Sequence, residues 1–239
     1  IKKIKIPTRM AYLISIGSTV CGTTAIMATA PVIKANKNEV SYAIANITLF
    51  GILSMLLYPY FANIYFNGEP LLIGLFLGTS IHETSQVAAA GLIYEQQFNS
   101  PETLNIATVT KLIRNASLII MIPLFAFLYN RGHANKKNYS ILNIFPYFVL
   151  GFVGMIILRN AGDQIFLIDN TSNWNEMINF IKTCSKIFLT MAMAAIGLST
   201  NLKDIKNMGH KPFIVGFVSM LTVGIVSILT IEIYLKLFT

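Results

Sequence analysis

Charged side chains are scarce in this sequence, and tryptophan, histidine and cysteine are rarer still. Only 12% of the 239 residues are Asp, Glu, Lys or Arg, whereas 54% are hydrophobic. A typical soluble domain is about one quarter charged, so this chain has too few charges to keep its surface in water. The composition therefore predicts an integral membrane protein.

The scarce residues also exclude several kinds of chemistry. Cys21 and Cys184 are too few for a disulfide framework and lack a zinc-binding spacing. His-Glu at 82–83 starts like the zinc-protease motif HExxH, but Gln86 occupies the last position. No GxxxxGK[ST] motif for ATP binding is present. We therefore expect no enzyme, no metal site and no cofactor.

Long apolar runs are what the sequence has in abundance. A membrane-spanning helix needs about 20 apolar residues to cross about 30 Å of hydrocarbon. Seven segments meet this requirement and predict an all-α, polytopic helical bundle: 10–32, 40–64, 70–95, 106–129, 140–159, 176–199 and 212–236. The lipid bilayer is thus the first expected partner.

The basic residues predict the orientation of the chain in the membrane. If the seven spans alternate, ten basic residues lie on one side and four on the other. Cytoplasmic loops carry the excess of Lys and Arg, which places the C-terminus outside. The net charge of +8 is then a consequence of topology, and no nucleic-acid partner is expected.

An internal similarity suggests a repeat. GILSML at 51–56 resembles GFVSML at 216–221, an offset of 165 residues. If the match is a true repeat, residues 65–239 form one five-span unit, and residues 1–64 hold the last two spans of an inverted first unit. The complete protein would then have about ten spans, three of which precede Ile1. Apolar sequence also produces such matches by chance, so both explanations stay open.

The middle of the predicted span 70–95 holds a run of polar residues. An ionisable group at mid-membrane costs at least about 2.5 kcal/mol and usually serves function. Glu83 is therefore the candidate carrier of a coupling ion, and its neighbours are candidate substrate ligands. On a continuous helix Gly74 and Gly78 form a GxxxG pair that lets another backbone approach. The alternative is that these polar groups only hold helices together. The polar run consists of His82, Glu83, Thr84, Ser85 and Gln86.

The first span contains a second polar centre at 17–25, with two glycines and four hydroxyl residues. Such a segment favours a break in the helix, and amide groups at the start of a half-helix attract anions. Cys21, Gly22, Thr23 and Thr24 are the candidate substrate ligands here. Close helix packing is the alternative interpretation.

Lys111, Arg114 and Asn115 form a third group of candidate substrate ligands, because their spacing places them on one helix face. Lys111 is close enough to the span's end to extend toward the lipid headgroups. Arg114 lies deeper, so it either pairs with a buried acid such as Glu83 or faces a polar cavity.

Together these stretches resemble a known family. STVCGTTAIMATAPVIKANKNEVSYAIANITLFG, GTSIHETSQVAAAG with ATVTKLIRN, and AMAAIGLSTNLKDI look like the bacterial YeiH-type membrane proteins, which carry the label of sulfate exporters. The resemblance covers essentially the whole chain. It implies a fold like that of the bile-acid sodium symporters, with two inverted five-helix repeats whose broken helices cross near mid-membrane.

The resemblance implies a function as well. It places one crossing element at 21–24 and its repeat partner near Ala195, Gly197 and Ser199, which makes Ser199 a second candidate for the coupling ion. The expected protein is a secondary active transporter of a small anion, such as sulfate or an organic sulfonate, in the bacterial cell membrane. Coupling to H⁺ or Na⁺ and a homodimer both stay open. An anion channel and a membrane-embedded receptor are the rival functions.

Overall fold

The structure is a computed structural model that describes residues 7–31, 33–117, 120–121, 124, 148–167, 172–199 and 210–238. Within these residues every regular element is an α-helix, which confirms the predicted class. We number the helices α1 Thr8–Thr19, α2 Thr23–Thr29, α3 Lys37–Tyr65, α4 Pro70–Ser80, α5 Thr84–Phe98, α6 Pro101–Ala116, α7 Phe148–Leu167, α8 Ser172–Ser199 and α9 His210–Phe238.

Two compact units make up the chain. The first comprises Ile1–Ile144 with Asn201–Thr239, and the second is Phe145–Thr200. The first unit holds α1 to α6 with α9, and the second holds α7 and α8. The division into repeats at residue 64 stays a prediction.

Two helices of the described part are long and apolar enough to cross a membrane unaided. They cover Lys37–Tyr65 and Phe213–Leu237, with mean hydropathies of 1.9 and 2.4. Pro70–Ser80 is apolar but has only 11 residues. Parts of the predicted spans 106–129 and 140–159 lie outside the described residues. Seven spans and their inverted arrangement therefore stay predictions.

Helices α3 and α9 pack against each other in the first unit. α3 begins with a capping box, because the side chain of Asn36 accepts from the Glu39 amide while the Glu39 carboxylate accepts from the Asn36 amide. Farther along α3, the Tyr58 hydroxyl donates to the Met220 carbonyl of α9 at 3.1 Å. Apolar side chains of α3, α4, α5 and α9 surround this contact in one buried cluster.

Two of the predicted spans are broken helices. The segment 10–32 is interrupted at 20–22, within the region where the sequence predicts a break. The segment 70–95 is interrupted at 81–83, where Ile81 and Glu83 both have extended backbones. The expectation of one continuous helix over this segment is wrong. The cause of this break is long-range, because the carbonyl groups that it frees accept hydrogen bonds from side chains of α6.

The close approach predicted at the GxxxG pair is confirmed. A Cβ atom at Gly78 would lie 2.6 Å from the Ala107 carbonyl oxygen, and one at Gly74 would lie 2.6 Å from the Ile106 side chain. Helix α6 therefore packs directly against α4 with almost no side chain between them. This brings Lys111, one turn beyond Ala107, to the level where α4 ends.

In the described part of the second unit, a polar cluster connects α7 and α8. Asp163 accepts hydrogen bonds from Arg159 Nε and Trp174 Nε1, both at 2.8 Å. The guanidinium also lies 6.0 Å from the centre of the Trp174 ring. Gly162 is required beneath that ring, because a Cβ atom there would come within 2.1 Å of it.

The repeat partner expected near Ala195, Gly197 and Ser199 stays a prediction, because the segment that follows Ser199 lies outside the described residues. Helix α8 continues without interruption through Ala195 and Gly197 to Ser199. Residues 200–209 and the side chain of Ser199 lie outside the described residues. The coupling role of Ser199 stays a prediction.

The predicted orientation can be tested by labelling single cysteines in a variant without Cys21 and Cys184. A membrane-impermeant maleimide applied to intact cells should label a cysteine at Asn99 and should not label cysteines at Asn138 or Asn207. The reason is that the loop after α5 lies outside if the spans alternate. Labelling of all three sites would contradict the seven-span topology.

Candidate functional site

Lys111 joins the two helix breaks. Its side chain is fully buried, and its ammonium donates to the carbonyl oxygens of Val20 at 2.9 Å, Ile81 at 2.8 Å and His82 at 2.5 Å. Val20 follows the end of α1, and the other two follow the end of α4. Carbonyls at a helix end lack intrahelical partners and carry partial negative charge. Lys111 neutralises both ends at once, so the predicted extension toward the headgroups is wrong.

Arg114 performs the same task one turn farther along α6. Its Nε donates to the Thr19 carbonyl at 2.9 Å and its Nη2 to the Ser18 carbonyl at 2.5 Å, both in the last turn of α1. Its Nη1 donates to the carbonyls of Thr79 at 2.7 Å and Ile81 at 3.1 Å. Lys111 and Arg114 together donate to the free carbonyl groups at the C-terminal ends of α1 and α4, and these hydrogen bonds fix where both ends lie.

Glu83 connects the other side of the breaks. Its side chain is only 6% exposed, and Oε1 accepts the backbone N–H of Thr23 at 2.6 Å. Thr23 is the first residue of α2, so the carboxylate faces the positive end of that helix. Gly22 makes the contact possible, because it has a φ of 63° and a Cβ atom there would lie 2.3 Å from Oε1. The Glu83–Arg114 ion pair considered from the sequence is not formed, since Arg114 binds carbonyl oxygens instead.

Two amides tie the start of α5 to its neighbours. Asn115 Nδ2 donates to the Thr84 hydroxyl at 3.0 Å, so all three candidate residues of α6 contact the break region. Gln86 Nε2 donates to the Thr48 carbonyl of α3 at 3.3 Å. The Gln86 amide lies against Gly51, where a Cβ atom would be 2.0 Å from Oε1. Gln86 therefore contributes to the contact between α3 and α5.

The other candidate residues differ in their accessibility. Cys21 is buried, and its thiol lies beside the Thr24 hydroxyl and the Ala25 amide. Thr24 itself is exposed. His82 and Ser85 are buried, and within the described residues His82 Nδ1 has no hydrogen-bond partner. The structure thus brings the three predicted polar groups of the first unit together around the two breaks.

A cavity of about 700 Å³ opens beside Arg114, between α1, α4 and α9. The contribution of α9 was missed from the sequence. Its Ser227 hydroxyl lies 2.6 Å from the Thr79 hydroxyl of α4. The available signal was that Thr222, Ser227 and Thr230 recur within a predominantly apolar predicted span.

Comparison with known proteins identifies relatives along most of the chain. A family model described as conserved hypothetical protein 698 matches residues 1–216. A UPF0324 membrane protein of Fusobacterium nucleatum is 37% identical over 234 residues, which cover 95% of this chain and 67% of that protein. A UPF0324 membrane protein of Clostridium tetani is 33% identical over 242 residues, with coverages of 95% and 66%. No solved structure matches.

A third relative agrees with these two. The UPF0324 membrane protein of Streptococcus agalactiae is 33% identical over 227 residues, which cover 95% of this chain and 65% of that protein. The chain thus spans about two thirds of the length of the curated relatives it matches. These matches confirm the family resemblance drawn from the motifs, and they identify the chain as similar to membrane proteins.

Proposed function

The chain belongs to the family of UPF0324 membrane proteins, and we propose that it forms the core of a secondary active transporter for a small anion. In this proposal the protein is a multi-pass component of the bacterial cell membrane, with its C-terminus outside. Transport proceeds by alternating access around the two helix breaks of the first unit.

The observation that carries this proposal is the meeting of two broken helices at a buried, charged centre. Opened backbone inside a membrane is tolerated only where protein or a water-filled cavity satisfies it. Here Lys111 satisfies the carbonyl ends of α1 and α4, while Glu83 satisfies the amide at the start of α2. Broken helices that meet in this way form the substrate sites of many secondary transporters.

The charges at the centre favour an anionic substrate. Lys111 and Arg114 carry two positive charges against the single carboxylate of Glu83. All three lie where apolar helices surround them, so their fields are screened far less than at a water-exposed surface. A bound anion would balance the excess positive charge.

Glu83 is suited to couple transport to an ion gradient. Its carboxylate makes the direct contact between the two breaks, through the Thr23 amide. A proton or a cation bound to this carboxylate would withdraw charge from the positive end of α2 and weaken that contact. Loading of the coupling ion would then release one break from the other, which is the step that alternating access requires.

The test is Glu83→Gln in protein reconstituted into liposomes, with labelled sulfate and an imposed pH or sodium gradient. The amide oxygen of Gln still accepts the Thr23 N–H, so the protein should fold, but the ion-binding charge is lost. We expect gradient-driven accumulation to disappear while exchange of sulfate across the membrane persists.

Glu95→Gln, on the helix α5 that follows Glu83, is the matched control and should keep full accumulation. Undiminished gradient dependence in Glu83→Gln would show that Glu83 has only a structural role. A current that rises linearly with voltage and does not saturate with sulfate would replace the transporter by a channel.

A further inference from the structure

The cavity beside Arg114 has a polar end and an apolar body. Arg114 and Ser18 lie at one end, where α1 terminates. Side chains of α4 and α9 form nearly all of the rest of the lining, and most of the surface they expose is apolar. The apolar members are Leu71, Leu75, Val223, Val226 and Ile231, and the hydroxyl-bearing members are Thr79, Thr222, Ser227, Thr230 and Tyr234. This is the lining expected for a ligand that combines a charged head with a hydrocarbon chain.

The polar end has unused hydrogen-bonding capacity. A guanidinium has five N–H donors, and Arg114 uses four of them on backbone carbonyls. Within the described residues, the fifth donor, on Nη2, has no protein partner. The Ser18 hydroxyl is buried and likewise has no partner in the described structure, although the Ser18 carbonyl binds the same Nη2. Arg114 and Ser18 both line this end of the cavity, so an oxyanion bound there would meet residues that still have an N–H and an O–H to donate.

The size of the cavity decides against a bare inorganic anion. Sulfate occupies the space of only a few water molecules, each of about 30 Å³. The cavity measures about 700 Å³, within the range of pockets that enclose organic ligands. A sulfate bound at Arg114 would leave the rest of the cavity, beside the apolar side chains of α9, without a ligand to fill it.

The depth of the polar end decides against a membrane phospholipid. Helix α4 has 11 residues and ends beside Arg114. At about 1.5 Å per residue, this places the guanidinium about 16 Å from the start of α4, near the middle of a hydrocarbon layer about 30 Å thick. Phospholipid headgroups stay at the membrane surface, so a free organic anion suits this depth better than a phospholipid.

We propose that the cavity binds an organic anion with an oxyanion head and a medium-length hydrocarbon chain, such as an alkyl sulfonate or alkyl carboxylate. The head accepts from Arg114 Nη2 and the Ser18 hydroxyl, and the chain lies between α4 and α9. That this anion is the substrate of the transporter rests on the proposed function. That it binds here rests on the lining and size of the cavity alone.

The experiment is isothermal titration of the protein in lipid nanodiscs with octane-1-sulfonate, inorganic sulfate and octan-1-ol. Octane-1-sulfonate should bind at least tenfold more tightly than either of the others, because only it uses both ends of the cavity. From butane- to octane-1-sulfonate the affinity should rise about three- to fourfold per methylene. This series uses the unmodified protein and needs no variant to fold.

Three variants locate the site. Ser18→Ala removes a hydroxyl without a protein partner, so it should fold normally and weaken octane-1-sulfonate about tenfold. Val226→Trp fills the apolar wall and should weaken binding more than tenfold. Val218→Trp, exposed on the same helix outside the cavity lining, should leave binding unchanged.

Each contrary outcome has a distinct meaning. Equal binding of octan-1-ol would make the cavity an apolar groove without an anion site, and equal binding of sulfate would make the substrate an inorganic anion. Loss of binding in discs of anionic phosphatidylglycerol, compared with phosphatidylcholine, would assign the cavity to a lipid headgroup. Any of these results overturns the inference.

Transport measured separately distinguishes this inference from the proposed function. Binding of octane-1-sulfonate without its exchange across liposomes would keep the site and reject the transporter. Sulfate exchange that octane-1-sulfonate does not inhibit would keep the transporter and reject this substrate class.

Discussion

Replacing Lys111 by methionine should lower the free energy of unfolding by about 3 kcal/mol or more. Methionine fills similar volume but donates no hydrogen bond, so the buried carbonyl oxygens of Val20 and His82 lose their partner, and that of Ile81 keeps only Arg114. Hydrogen bonds to a charged group contribute about 1.5–3 kcal/mol, and an unpaired buried acceptor costs about 1–3 kcal/mol. Reversible unfolding in mixed micelles would measure the loss.

Two further lysine variants make this expectation specific. Lys182→Met, at an exposed position on α8, should change stability by no more than about 0.5 kcal/mol. Lys111→Arg keeps the charge, but the planar donors of a guanidinium cannot match three carbonyls arranged around an ammonium. Its free energy of unfolding should therefore lie between those of the unmodified protein and Lys111→Met. Equal stability of Lys111→Met and Lys182→Met would mean that water or another group satisfies these carbonyls.

Gly22→Ala should destabilise the protein by about 2–4 kcal/mol, for two separate reasons. The backbone at Gly22 has φ 63° and ψ −119°, a conformation that residues with a Cβ atom rarely adopt. The new Cβ atom would also lie 2.3 Å from the Glu83 carboxylate, which would have to leave the Thr23 amide. The same unfolding measurement applies.

Gly151→Ala is the matched control, and it should have the opposite sign. Among the described residues, no atom lies within 4 Å of a Cβ atom at Gly151, the fourth residue of α7, so alanine should stabilise by about 0.5–1 kcal/mol through its higher helix propensity. The double variant Gly22→Ala with Glu83→Ala should lose less stability than the sum of the two single losses. The reason is that the clash in Gly22→Ala has already displaced the Glu83 carboxylate. Strict additivity of the two substitutions would show that only the backbone conformation matters at Gly22.

Features that depend on neighbouring residues could be predicted from the sequence. The break near Gly22 follows from glycines and hydroxyl residues within one short segment, and the close approach at Gly74 and Gly78 follows from missing side chains at helical spacing. Both effects act within a turn or two of their cause. The break at 81–83 was not predicted, because His82 and its neighbours carry no glycine or proline that would require it.

Composition and apolar periodicity, available in the sequence itself, determined that this is an all-helical membrane protein with polar residues set within its apolar segments. Only the tertiary structure decided what those residues bind. Lys111 reaches a carbonyl 91 residues away and two others 29 and 30 residues away, and Glu83 reaches an amide at a separation of 60. A charge buried among apolar helices must find a partner because leaving it unpaired is too costly. Which partner it finds depends on how the helices pack, since both α1 and α4 end within reach of α6.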